Sequence, residues 1–170
     1  MEATLLDKEK IDFSGTFDLE RLYKHLYDWL NWRGFGHEEK KYKEKVKGDS
    51  KDIEIRWSDE KDYDEYTKIV IETVWLVYGL TDVEAKKDGK PYKLNKANLI
   101  LNVTAKFVTD KQGVWAKNPT LHFLQTFYEK YLYKNVIEQL KSDVWRLGWE
   151  YFNETKRFIN VYATELSNVG

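Results

Sequence analysis

The chain contains no cysteine. That absence removes disulfide frameworks, thiol nucleophiles and thiolate-bound metal clusters together, and it leaves secretion without support. Long apolar runs are also missing. The longest, Ile69 to Leu80, is interrupted by Glu72 and is too short to cross a bilayer as a helix, so no transmembrane segment is expected. Met1 to Asp12 carries charges where a signal peptide would be apolar, and the expected compartment is the cytoplasm. Sequons at Asn102 and Asn153 fall in a predicted strand and a predicted helix, where a glycan is hard to place. Arginine is scarce beside lysine and the net charge is −1, a balance that disfavours nucleic acid as a partner.

Catalytic signatures are missing too. None of His25, His37 and His122 has the histidine partner of a helical zinc site, and Ser14, Ser50 and Ser58 lack a nucleophile-elbow context. No glycine loop is shaped to cradle phosphate. Glu54 and Glu72 take outward strand positions, where carboxylates pair with cross-strand lysines rather than act as acid and base. The sequence therefore nominates no catalytic residue, no metal ligand and no cofactor.

What is present is an order of hydrophobic periods. From Lys10 to Phe17, Ile11, Phe13 and Phe17 alternate with polar residues, the pattern of a half-buried strand. Asp18 is placed to cap a helix in which Leu19, Leu22, Tyr23, Leu26, Tyr27 and Leu30 recur at helical steps, and Gly34-Phe35-Gly36 ends it. His37 to Lys47 reads as an edge strand protected by lysines. Ile53, Ile55 and Trp57 face one way against Asp52, Glu54 and Arg56, and the odd positions from Ile69 to Val77 continue that inner face. An acidic loop, Asp59 to Glu65, separates the two. Gly79 is expected to bend or bulge its strand. Asp88-Gly89 signals a hairpin whose return strand turns Leu99, Leu101, Val103, Ala105 and Phe107 inward. Breaking both hairpin arms gives six to seven strands.

Asn118 and Pro119 open a C-terminal helical tract with Leu121, Leu124, Tyr128 and Tyr131 on one face. A second stripe, out of phase with the first, runs through Ile137, Leu140, Val144, Leu147, Tyr151, Thr155, Phe158 and Tyr162. A continuous helix from Pro119 to Leu166 would measure roughly 70 Å, more than a compact domain of this size can cover. A bend or break is expected near Lys134 and Asn135. The sum is a single α+β domain: a curved antiparallel sheet of six to seven strands on a long, bent C-terminal helix, with a shorter helix after the first strand.

This element order, from Ile11 to the helix after Pro119, resembles the helix-grip fold of the START-like and polyketide-cyclase-like superfamily. Thr16 to Trp32 is similar to the stretch where that superfamily's first strand passes into helix, although members usually have two short helices there and this chain has room for one. Trp115 to Tyr131 is similar to small archaeal proteins of unknown function. The superfamily resemblance implies a hydrophobic ligand cavity between sheet and helix.

Three surfaces are candidates for function. If the grip is open, Tyr42, Trp57, Trp75, Phe107 and Tyr128 wall a cavity for a small apolar or lipid-like molecule, oriented by Thr73 and tyrosine hydroxyls. If it is filled, the same residues are core. Trp145, Trp149 and Phe152 form a row pointing away from Leu147, either covered within the chain or open to a homo-oligomer, a protein partner or a membrane interface. From Lys86 to Lys117, eight lysines against Asp88 and Asp110 give a charge of +6. Such a projection either steers anionic partners or keeps an exposed hairpin soluble. The expected function is a non-enzymatic binding module with its ligand in the grip; the alternative is assembly through the Trp145 row.

Overall fold

Strand β1 (Glu2–Phe17) runs directly into helix α1 (Leu19–Trp32), because Asp18 between them is extended and its carboxylate accepts the Arg21 N–H at 3.0 Å. The helix stops at its glycine. Gly34 adopts φ 83°, its N–H bonds Asn31, and the N–H of buried Phe35 reaches back to Leu30. The computed structural model describes residues 1–167, with side chains through Val161 apart from Lys87. The side chains of Tyr162, in the predicted stripe, and of Lys87, in the predicted basic hairpin, lie outside the described residues.

Four strands follow as an antiparallel meander: β2 (Gly36–Lys47), β3 (Ser50–Asp62), β4 (Thr67–Lys87) and β5 (Lys90–Thr109). β1 pairs with β5, so the sheet order is β1-β5-β4-β3-β2 with β1 and β2 at its edges. Five strands correct the six to seven expected. Gly79, at φ 65°, bulges β4 between Tyr78 and Thr81, and its N–H is held by Asp52 Oδ1 at 2.9 Å, so the hairpin is kinked there rather than broken. Asp88 and Gly89 both take positive φ, 54° and 75°, as the predicted two-residue turn requires.

The alternation read from the sequence places the core. Ile53, Ile55, Trp57, Ile69, Ile71, Trp75, Val77, Leu99, Leu101 and Phe107 are all buried on one face. Each large side chain there contributes about 1.5 to 3 kcal/mol relative to exposure. Helix α3 (Lys134–Ser167) covers β1 and β5, while α1 packs on β2 and against α3. Gly148 lets α3 come close: a Cβ built on it would stand 2.7 Å from the Ala105 Cβ.

Between β5 and α3 the chain is punctuated by side-chain caps. The Asp110 carboxylate takes the N–H groups of Val114, Trp115 and Ala116 at 2.8, 3.0 and 3.1 Å, shaping a short 3-10 turn (Trp115–Lys117). Asn118 then caps α2 (Pro119–Phe127) through the Leu121 N–H at 2.8 Å. A π-helical turn (Tyr128–Leu132) and non-helical Tyr133, at φ −102° and ψ 1°, separate α2 from α3. The break thus falls immediately before Lys134. In α2 the inward row is Leu121, Gln125 and Tyr128, half-buried or buried, whereas Leu124 and, in the π turn, Tyr131, both expected inward, are exposed. No helix among the described residues is long and apolar enough to cross a membrane.

Candidate functional site

The residues expected to wall the grip divide into three places. Trp57, Thr73 and Trp75 adjoin on β3 and β4 and, with Phe107 farther along the same inner face beside Ile69, are buried. The Trp57 and Trp75 rings lie 5.0 Å apart, and Tyr23 of α1 packs 4.7 Å from Trp57 and 5.8 Å from Trp75. Thr73 Oγ1 bonds the equally buried Tyr151 hydroxyl at 3.0 Å, and burial pushes that phenol's pKa up. Aromatic rings therefore occupy the space beside Trp57 and Trp75. Tyr42 stands apart on edge strand β2, 53% exposed, where burial of its hydroxyl and a 2.6 Å bond to Glu44 push its pKa up to about 12. With Tyr23, Ile53 and Ile55 it lines an open groove of about 460 Å³ between α1 and the sheet. Tyr128 belongs to a separate aromatic cluster, 5.6 Å from Tyr66 and 5.5 Å from Tyr133.

A polar centre lies inside the core, at the start of the stretch Asp59 to Glu65 that the sequence alone suggests is an acidic loop. β3 continues through Asp62, which turns Asp59 inward in line with Trp57. Its Oδ1 lies 2.6 Å from His37 Nδ1, and burial pushes the carboxyl up to about 6 against the opposing pull of His37. His37 is wedged edge-on against Tyr27 and Trp57 at 5.0 and 4.7 Å. Asp59 Oδ2, Trp57 Nε1 and Trp75 Nε1 have no hydrogen-bond partner among the described residues. The pair can hold a proton, but neither residue lines the grooves described here, and its evident work is to fasten β2 to the core.

The more open concavity lies at the other end, where the start of β1 meets the C-terminal tract. It measures about 780 Å³, within the usual range for small-molecule sites, and is lined by apolar Met1, Ala3, Tyr131 and Ile137 together with Thr126, Glu129 and Glu138. Lys130, Lys134 and Lys141 stand around it. One wall is fixed by Glu129, whose Oε1 accepts from the Tyr66 hydroxyl at 2.7 Å, Thr109 Oγ1 at 2.5 Å and Gln125 Nε2 at 3.1 Å. Tyr133 donates to Asp64 and bonds Thr67 at 2.9 Å; burial first, and the Asp64 bond second, push its pKa up to about 12. These hydroxyls pin the π turn to the β3–β4 connection. Lys141 pairs with Glu138 at 3.0 Å, while Lys130 and Lys134 have no carboxylate within 4.0 Å among the described residues.

The remaining candidates change character in three dimensions. Trp145 is 54% exposed, Trp149 half-buried and Phe152 buried, so the row descends from the surface into the core instead of lying along it. In the basic hairpin and return strand, Lys93 pairs with Asp82 at 3.0 Å, Lys106 with Glu72 at 2.9 Å and Lys111 with Asp62 at 3.1 Å. Acids from neighbouring segments thus offset part of the charge counted along the sequence. His25 meets Glu154 at 3.0 Å and stacks on Phe158, tying α1 to α3. No protein family, curated protein or solved structure matches the chain.

Proposed function

We propose that the protein is a non-enzymatic binding module with a helix-grip-like arrangement, and that it holds a lipid-like molecule between the sheet edge and the C-terminal helical tract. The tail lies along Ala3 and Ile137, and an anionic head faces Lys130 and Lys134. One observation carries this reading: the groove of about 780 Å³ joins apolar Met1, Ala3 and Ile137 to a rim where Glu138 is taken by Lys141 and Glu129 by hydroxyls, leaving Lys130 and Lys134 without a carboxylate partner among the described residues. An apolar ligand without charge would leave that rim unused. Each methylene removed from water is worth up to about 0.8 kcal/mol, or about fourfold in affinity.

Calorimetric titration with octanoate, decanoate and dodecanoate below their micellar concentrations tests this directly. Affinity should climb by up to about fourfold per methylene and collapse in Ala3→Trp, which fills the groove. Equal affinity along the series, or binding indifferent to Ala3→Trp, rejects the site. Assembly through the C-terminal aromatics is the second reading, favoured by the 54% exposure of Trp145. It requires a dimeric or larger mass by light scattering that Trp145→Ser reduces; a monomeric wild type removes it.

A further inference from the structure

Helix α2 and the π turn leave an apolar stripe uncovered. Phe123, Phe127 and Tyr131 recur every four residues and are 71, 51 and 60% exposed, with Leu124 and Leu132 at 46 and 71% beside them. The Phe127 and Tyr131 rings touch at 4.8 Å, so the stripe is continuous. Protein surfaces seldom carry apolar patches of this kind without using them. Gln125, Tyr128 and Glu129 turn toward Tyr66, while these five side chains face outward.

Its charge is one-sided. From Lys111 to Ile137 the sequence has four lysines and a single acidic residue, Glu129, a charge of +3 within a chain of net −1. Glu129 is turned inward onto Tyr66, Thr109 and Gln125. Lys117, Lys130 and Lys134 are exposed, and none has a carboxylate within 4.0 Å among the described residues. Elsewhere some surface lysines are paired, as in Lys41 with Glu54 and Lys68 with Glu60.

We infer that this face docks on an anionic lipid membrane, with Phe123, Phe127 and Leu132 entering the boundary of the acyl region and the three lysines at headgroup depth. Rings and leucines on one side of a helix, flanked by lysines whose stems can lie along apolar surface, are the chemistry of an interfacial helix. A second copy of the chain fits worse. A two-fold contact through the same stripe would bring both sets of unpaired lysines together. The membrane supplies the missing negative charge, each lysine adding about fivefold in affinity and the three on the order of a hundredfold. The face shares Tyr131, Lys130 and Lys134 with the groove, yet docking does not require the groove to be filled.

Flotation with vesicles of phosphatidylcholine, alone or mixed with phosphatidylserine, provides the test. Partition should be on the order of a hundredfold stronger on the anionic vesicles and should weaken steeply with salt. Phe123→Ser with Phe127→Ser, and separately Lys117→Glu with Lys134→Glu, should each reduce it by more than about tenfold. Trp32→Ser, which removes the most exposed tryptophan from a different element, should leave it intact. Because both lysines are exposed, the charge-reversal pair keeps the fold even if the phenylalanine pair does not. Absence of flotation, equal partition onto neutral vesicles, or losses no larger than those of Trp32→Ser would overturn the inference. So would a dimeric mass that the phenylalanine variants convert to monomer.

Discussion

Gly148→Ala isolates the contact on which the helix-on-sheet arrangement turns. In an exposed helix this exchange stabilises by about 1 kcal/mol, since alanine is the better helix former. Here the added methyl meets Ala105 Cβ at 2.7 Å and Leu6 Cδ2 at 3.3 Å, against the 3.5 to 4.0 Å at which carbon atoms normally rest. The nearer neighbour is a Cβ fixed to the backbone of β5, which is paired on both sides there, so it cannot swing aside, and either helix or strand must yield by close to 1 Å. Overpacking of that kind costs about 1 to 3 kcal/mol. Net destabilisation of about 1 kcal/mol is expected once the propensity gain is subtracted. Ala105→Gly alone should also destabilise, through the lost methyl and the added strand flexibility. Together the two exchanges move one methyl across the interface, so the double variant should be more stable than the summed single effects by at least about 1 kcal/mol. Urea unfolding followed by circular dichroism measures all four species. A stabilised Gly148→Ala, or strict additivity of the pair, would refute the close approach of α3 to β5.

Other groups make separate demands. Asp59 has a folded pKa of about 6, above its ordinary 3.8, so the native state binds its proton more tightly and stability should fall as pH rises through that window, then level off. Asp59→Asn should remove about 2 to 3 kcal/mol of that slope in urea melts at successive pH values; an unchanged slope contradicts the burial of this carboxyl. Glu154 works in the opposite sense. Arg157, and His25 after it, hold its carboxyl down at about 2, so its contribution is present above pH 4.5 and is lost as pH falls toward 2, a loss that Glu154→Gln should abolish in acid melts. Tyr151→Phe leaves Thr73 Oγ1 without its 3.0 Å partner in a dry core and should cost about 1 to 3 kcal/mol by the same denaturation assay; a neutral effect would mean that water reaches Thr73.

Much of this architecture was legible in the residues, and its failures share a physical origin. Strict alternation from Ile53 to Phe107 identifies the buried face because a strand's side chains repeat every two residues, whatever their partners. Alternation does not say whether a glycine interrupts the ladder or only bulges it, and Gly79, held by Asp52 from the neighbouring strand, took the second course. Polar flanking residues make Asp59 look like loop; its inward position depends on pairing with β2 and on His37, both remote in sequence. Helical spacing alone allows Leu124 to join Leu121 on the inner face, but α2 turns the row Leu121, Gln125 and Tyr128 inward and the π turn shifts the phase only beyond it, so Phe123, Phe127 and Leu132 are surface residues that periodicity does not mark. Their four-residue spacing beside lysines, in a stretch almost free of acidic residues, was the available signal.

Native mass spectrometry of the chain as purified addresses the central claim, that the concavity between β1 and the C-terminal tract accommodates one amphiphile. The expected result is a single adduct of an acyl-bearing anion per chain, lost in Ala3→Trp while the fold is retained. A bare wild-type mass that stays bare after incubation with dodecanoate, or an adduct that survives Ala3→Trp, would contradict it.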